Sequence, residues 1–280
     1  MLETYAENTW CTGCGNFGIL TAVKRAVKTL IKTGISKDRL VMSAGIGCHA
    51  KIFDYLNISG LYSIHGRSMA TVQGMKIANP DLKVITFVGD GDAYGEGIAH
   101  LLFAAKRNSD ITVIVHNNGV YGLTTGQYTP TSKKGFKGRS TPRGSVEEPL
   151  NPLTLMLEAG ATFVARAYSG KIDEMAEIFV QAVEHEGFSF VDVLQPCVTY
   201  NNTYRLYNEI TQVLGSIPKT YEEALNVARA EDKLYIGVIY KREKPVFHKQ
   251  LYGDWNPVKN SLLREEKIRR ITKLISDEKE

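Results

Sequence analysis

Two apolar, β-branched runs with a Gly- and Ala-rich segment between them constrain this chain more than any other feature. From Val84 to Gln127 it reads VITFVGDGDAYGEGIAHLLFAAKRNSDITVIVHNNGVYGLTTGQ. The first run breaks into Gly89-Asp90-Gly91-Asp92, and the second, Ile111 to Val115, ends at Asn117-Asn118. The pattern predicts strand, acidic turn, helix, strand and amide turn. A helical crossover makes the two strands parallel, so both turns fall at one carboxyl edge of the sheet, where open α/β sheets bind ligands.

Asp90 and Asn118 then offer hard oxygen ligands from neighbouring strand ends, suited to a magnesium ion that also takes phosphate oxygens. Gly89 and Gly91 let backbone approach the phosphate, and a helix predicted to begin near Tyr94 aims its positive end at the anion. These residues describe a diphosphate site. The alternative is an ordinary glycine-rich turn with a chance asparagine pair; strand and helix patterns falling where such a site needs them weigh against it. GDG, twenty-five residues and NN resembles the signature of thiamine-diphosphate enzymes. That resemblance implies magnesium held by Asp90, Asn118 and the carbonyl of Val120.

At 280 residues, 43% hydrophobic and 23% charged, the chain can bury a full core as one large domain or two small ones. No apolar stretch approaches the roughly 20 residues that span a bilayer, and MLETYAENTW lacks the charged and apolar regions of a secretory signal. A cytoplasmic protein with no membrane contact is expected. A net charge of +4 without aromatics interleaved among basic residues gives no reason to expect nucleic acid.

Taken in order, the pattern predicts helix 16–32, strand 39–43, a Gly45-Ile46-Gly47-Cys48 turn, strand 61–64, then His65-Gly66-Arg67 and a helix through Ile77. After the unit described above, residues 128–152 read as a long loop whose Lys133 to Arg143 part has five basic residues and no acid. That is either a solvated charged loop or a contact for an anion or a partner. Helix 154–160, strand 162–167, helix 171–186 and strand 188–194 follow. Alternation over residues 12–197 predicts an α/β fold, a doubly wound and mostly parallel sheet. Residues 1–200 are read as the cofactor domain. Residues 201–280, with a helix at 220–229, an apolar run at 234–239 and a charged helix at 261–277, are read as a C-terminal extension packing on the core or a partner.

The four cysteines are too few for a disulfide framework. Cys11 and Cys14 form a C-x-x-C pair, Cys48 follows one predicted strand, and Cys197 follows another through Pro196. If the last strand ends at the cofactor edge, all four converge near the diphosphate. Four thiolates suit a [4Fe-4S] cluster or a structural zinc; a redox C-x-x-C and four unrelated buried cysteines are further readings. Chemistry separates the first two. Thiamine diphosphate stabilises the carbanion left when a 2-oxo acid loses carbon dioxide, a strong reductant. A cluster accepts its electrons and zinc does not.

The segments WCTGCG, GIGCH, HGR, GDGDAYGEG, NNGVYGLTTGQYTPT and the late Cys197 together resemble the β subunit of 2-oxoacid:ferredoxin oxidoreductases, the family of pyruvate and 2-oxoglutarate synthases. The similarity covers residues 8 to about 205. It implies one [4Fe-4S] cluster on Cys11, Cys14, Cys48 and Cys197. It also implies thiamine diphosphate contacts from Ile46, Gly47, Cys48, His49, Gly91, Asp92, Gly122 and Leu123, with His65 and Arg67 near the same cofactor. Two positions depart from the commonest pattern: His49 stands where Ser is usual, and Thr125 where several members have Lys. Lys51 matches a position that some members use for coenzyme A or substrate.

No residue here is an evident acid or base, which fits chemistry run by the cofactor's own aminopyrimidine. The resemblance implies that the assisting Glu comes from a pyrimidine-binding domain in a partner α subunit, with γ or δ subunits in some assemblies. The expected assembly oxidatively decarboxylates a 2-oxo acid, transfers the acyl group to coenzyme A and passes electrons to ferredoxin. Two rivals stand beside it: a non-redox thiamine-diphosphate decarboxylase or synthase subunit, and a zinc-stabilised, non-catalytic assembly module.

Overall fold

Apolar periods of two and of 3.6 residues separate the segments that become strands from those that become helices. The computed structural model describes residues 2–253 and 255–277. Helix α1 (Asn16–Lys32) leads to β1 (Leu40–Ala44); a 3-10 turn over Cys48–Lys51 and the short α2 (Ile52–Tyr55) carry the chain to β2 (Ser59–Tyr62). Next come α3 (Ser68–Ala78), β3 (Lys83–Gly89), α4 (Ile98–Lys106) and β4 (Thr112–Asn117). Beyond the long loop lie α5 (Pro152–Glu158), β5 (Phe163–Tyr168), α6 (Ile172–Glu184) and β6 (Ser189–Leu194). The remainder contributes α7 (Tyr204–Ile210), β7 (Thr211–Val213), α8 (Tyr221–Arg229), β8 (Leu234–Lys241), α9 (Phe247–Tyr252) and α10 (Arg264–Asp277).

The strands form one sheet in the order β2-β1-β3-β4-β6-β5-β8-β7. Every pairing is parallel except that of β5 with β8. The α/β, doubly wound and mostly parallel architecture expected from the alternation is the one the chain adopts. Strands covered on both faces need apolar side chains on both, and β3 serves two cores. Its Ile85 and Phe87 pack with residues of α1 and α6, its Val84 and Val88 with residues of α3, α4 and α5. On α6, Met175, Ile178, Phe179, Ala182 and Val183 make the buried stripe, and each large apolar side chain so buried contributes about 1.5–3 kcal/mol.

This strand order also places the site. From β1 the chain moves outward to β2, whereas from β3 it moves the other way to β4. The loops leaving β1 and β3 therefore diverge, opening a crevice at the carboxyl edge, the switch point where such sheets take ligands. Register keeps the ends level: Gly89 pairs with His116 and Asn117 with Leu194.

Besides the unforeseen short elements α2, α7, β7 and α9, two features differ from expectation. Helical backbone after β3 begins at Gly91 rather than near Tyr94, as a single π turn over Gly91–Glu96, before α4 starts at Ile98. Gly91, Gly95 and Gly97 weaken regular α geometry there, and π turns are frequent at functional sites. Secondly, β8 joins the main sheet against β5, with Ile236 and Ile239 fully buried. By contrast α10 has no buried residue, and its Ile268, Ile271, Leu274 and Ile275 are exposed. Among the described residues no helix is long and apolar enough to cross a membrane.

Candidate cofactor and metal site

The crevice between β1 and β3 is a cavity of about 480 Å³. Ile46, Gly47, Cys48 and His49 line it from the loop after β1, Asp90, Gly91 and Asp92 from the turn after β3, and Asn118, Val120, Gly122 and Leu123 from the turn after β4. His65 completes the wall. Arg67 stays outside this lining, exposed, its guanidinium donating to the Glu96 carbonyl at 3.1 Å. Lysine and arginine are absent from the lining.

Asp90 is 2% exposed. Thr129 and Thr131 both donate hydroxyls to its Oδ2, at 2.5 and 2.8 Å. Burial pushes its carboxyl up to about 6, against the pull of those hydroxyls and the Asn118 backbone amide. Asn118 turns Nδ2 to Gln195 at 3.0 Å, while its Oδ1 accepts the Val120 N–H at 3.0 Å. A buried carboxylate, an amide oxygen and a nearby carbonyl are the hard donors a magnesium ion takes.

Asp92 is equally buried but differently partnered. Burial alone would raise it, yet His49, His65 and the Gly66 N–H hold it well below the usual carboxylate range. The Gly66 bond is 2.6 Å; His65 Nδ1 and His49 Nε2 stand at 3.0 and 3.5 Å, within ion-pair reach but off hydrogen-bond direction. Asp92 thus ties the loops after β1, β2 and β3 together. Gly45 is required beneath it, because a methyl there would lie 1.7 Å from Asp92 Oδ2.

A second cavity, of about 440 Å³, adjoins the first and is lined by Cys11, Cys14, Cys48 and Cys197. Local bonds bring these distant residues together. The Gly15 N–H donates to the Pro196 carbonyl at 3.2 Å, and Trp10 Nε1 to the Cys48 carbonyl at 2.6 Å. A methyl on Gly122 would sit 3.6 Å from Cys48 Sγ and 3.8 Å from Cys197 Sγ. Burial pushes the Cys14 thiol up to about 11; the Asn16 N–H opposes this, and Cys197, Cys48 and Cys11 add to it. All four cysteines are free thiols, and Asn16 Nδ2, also on this cavity, has no hydrogen-bond partner. Among the described residues no three His, Cys, Asp or Glu side chains are gathered as ligands of a single ion. Lys51 lies on this side, with Nζ 3.3 Å from the Thr9 carbonyl.

Sequence reasoning missed several participants. Thr129 and Thr131 sit in the motif GQYTPT but reach Asp90 only through the path of the loop. Thr131 Oγ1 also lies 2.9 Å from Asn117 Oδ1, which competes with Asp90 for its single proton, and Asn117 Nδ2 donates to the buried Asp192 at 3.0 Å, which Tyr94 also bonds. Gln195, one residue before Pro196, links Asn118 to Cys14. The basic loop comes close to the turn after β4: Arg139 donates to Thr125 Oγ1 at 2.7 Å, and Thr125 has φ +78.

Fold and crevice together define a thiamine diphosphate-binding domain. Residues 45–193 match the family "Thiamine pyrophosphate enzyme, C-terminal TPP binding domain", and residues 197–253 match the family of the C-terminal part of the pyruvate ferredoxin oxidoreductase β chain. The chain is 39% identical over 298 aligned positions to the 2-oxoacid:ferredoxin oxidoreductase subunit beta of a Sulfolobus species, covering 98% of this chain and 97% of that one. Over 202 positions it is 47% identical to the beta subunit of 2-oxoacid:ferredoxin oxidoreductase 1 of Aeropyrum pernix, covering 72% and 63%. The 2-oxoglutarate:ferredoxin oxidoreductase structure from Magnetococcus marinus, with 2-oxoglutarate, coenzyme A and succinyl-CoA bound, superposes with a TM-score of 0.88 at 33% identity, covering 96% of this chain and 94% of that one. This chain belongs to the family of 2-oxoacid:ferredoxin oxidoreductase β subunits.

Proposed function

We propose that this chain supplies the diphosphate-binding half of an assembly that oxidatively decarboxylates a 2-oxo acid with coenzyme A and sends the electrons, one at a time, to ferredoxin. The observation that carries the reading is the shared wall: Cys48, Asn118 and Gly122 line both the cofactor crevice and the cysteine cavity. Asp90, Asn118 and the Val120 carbonyl hold magnesium. A diphosphate brings several negative charges into a crevice whose lining has no lysine or arginine, so a cation there is electrostatically required.

Cys11, Cys14, Cys48 and Cys197 hold the [4Fe-4S] cluster. Around one zinc, four sulfurs share a centre at about 2.3 Å; in a four-iron cube each thiolate takes a different iron, and the sulfurs stand apart. Four free thiols lining one cavity beside the cofactor crevice support the cluster. When bound, thiamine diphosphate supplies the decarboxylation chemistry and the cluster an electron acceptor. The chain's own side chains bind and orient: Asp92 fixes the loops that carry His49 and His65, and Asp90 anchors the cation.

Ile46 and Leu123 are exposed apolar residues at the crevice mouth, a surface for the α subunit that brings the pyrimidine-binding domain. Lys51 is placed to meet coenzyme A or substrate from the cysteine side. Residues 1–200 form the cofactor domain and residues 201–280 a C-terminal extension that packs on it, a reading supported by β8 pairing with β5.

The test is purification of the complex from its native host without air. Iron, acid-labile sulfide and a visible cluster spectrum are expected, with ferredoxin or viologen reduction by pyruvate, 2-oxoglutarate or branched 2-oxo acids. One zinc and no iron per chain would overturn the redox reading. Asp90→Ala is expected to abolish magnesium-dependent thiamine diphosphate binding; unchanged affinity would mean that the crevice has another ligand.

A further inference from the structure

Gln195 directly follows β6 and is 1% exposed. A side-chain amide has an oxygen that accepts and a nitrogen with two protons to donate. Here Nε2 donates to the Pro196 carbonyl at 2.7 Å and to Cys14 Sγ at 3.6 Å, and Oε1 accepts from Asn118 Nδ2 at 3.0 Å. Reversing the amide would set two oxygens 2.7 Å apart at Pro196, so the network admits one orientation.

That orientation propagates. With its Nδ2 committed to Gln195, Asn118 must keep Oδ1 on its other side, against the Val120 N–H. Oδ1 is the only atom of that side chain able to take a cation. At the far end of Gln195, its N–H meets the sulfur of the most buried of the four cysteines. Hydrogen bonds to cluster sulfurs help set reduction potential, because they offset the negative charge that reduction adds.

We propose that Gln195 is a positioning residue common to both centres, presenting the Asn118 oxygen to the cation and an N–H to the Cys14 sulfur, so that cofactor occupancy and cluster potential are linked. The inference rests on the function proposed above. Linkage of this kind is reciprocal: whatever shift the bound cofactor causes in the cluster's potential, reduction returns in cofactor affinity.

The experiment is a redox titration of the cluster followed by electron paramagnetic resonance, on the complex with its partner subunits. It is run with and without magnesium and thiamine diphosphate. In the unaltered complex the midpoint moves when the cofactor is added. Gln195→Met keeps the length but removes the donors and the acceptor. Its midpoint is expected to be more negative, the cofactor-induced shift lost, and the magnesium needed for half-maximal cofactor binding raised about tenfold or more, as for other outer partners of metal ligands. Gln195→Glu, protonated so that its hydroxyl donates to the Pro196 carbonyl in place of Nε2, keeps an acceptor for Asn118 but has no N–H for sulfur, and should lower the midpoint while disturbing magnesium dependence less than Gln195→Met does. Val191→Ala, a cavity in the core made elsewhere on β6, controls for lost stability. Midpoints in both Gln195 variants equal to that of the unaltered complex, or the same changes in Val191→Ala, would overturn the proposal. Absence of iron or of bound thiamine diphosphate in the unaltered complex would sink the functional reading and this inference with it. A loaded cluster with an unmoved midpoint sinks the inference alone.

Discussion

Asp90 and Asp92 are two residues apart and each 2% exposed, yet their carboxyls shift in opposite directions. Burial wins at Asp90, where the neighbours are hydroxyls and an amide; at Asp92 two imidazoles and a backbone N–H outweigh it. The first is thus a buried carboxyl among neutral donors, and the second is a structural knot. Asp92→Asn should loosen the three loops and cost about 2 kcal/mol, the scale of a charge-assisted hydrogen bond, read from the denaturant midpoint. Asp90 and Asn118 could be picked out as candidates because each ends an apolar run, and the four cysteines because each is chemically distinctive, two of them in a C-x-x-C pair. Thr129, Thr131, Asn117 and Gln195 were not. Their roles arise from a long loop without apolar period and from side-chain orientation, neither of which leaves a mark in the order of residues.

At the scale of elements, most strands and helices of the βα units were read to within a few residues, because they carry a buried apolar stripe on one or two faces; β2, exposed along its length, was read two residues too far on. Helices α2, α7 and α9 and strand β7 were missed: at four, seven, six and three residues they are too short for a period to emerge. The antiparallel placement of β8 could not be foreseen either, since an apolar run names its partner only through tertiary packing. A chain ended at residue 200 would uncover the edge of β5, and aggregation is expected, measurable by light scattering. His185 follows α6 and accepts or donates at Thr162 Oγ1, 2.9 Å away. Burial, with Lys241 nearby, pushes its pKa down from 6.5 to about 4. Between these values the unfolded chain takes a proton that the folded one refuses, so this residue costs stability as pH falls from about 6.5 to 4. His185→Gln should flatten that part of the stability curve in denaturant titrations across pH.

Across the whole molecule, charge is unevenly spread. Residues 241–280 hold eleven Lys or Arg against seven Asp or Glu, an excess equal to the chain's net +4. The basic loop at 133–143 holds five further cations, one of them, Arg139, bonded to Thr125. If these surfaces guide an acidic ferredoxin, its reduction rate should fall as ionic strength rises, because screening shortens the reach of the field. A rate indifferent to salt would remove them from the docking path. The partition formed by Cys48, Asn118 and Gly122 has a practical sequel. Under the proposed function, a wall with a different chemistry on each side has no spare layer to absorb damage, so oxygen that dismantles an iron–sulfur centre there should also spill the vitamin-derived coenzyme. How much coenzyme survives a desalting column then becomes a gauge of how intact the iron is.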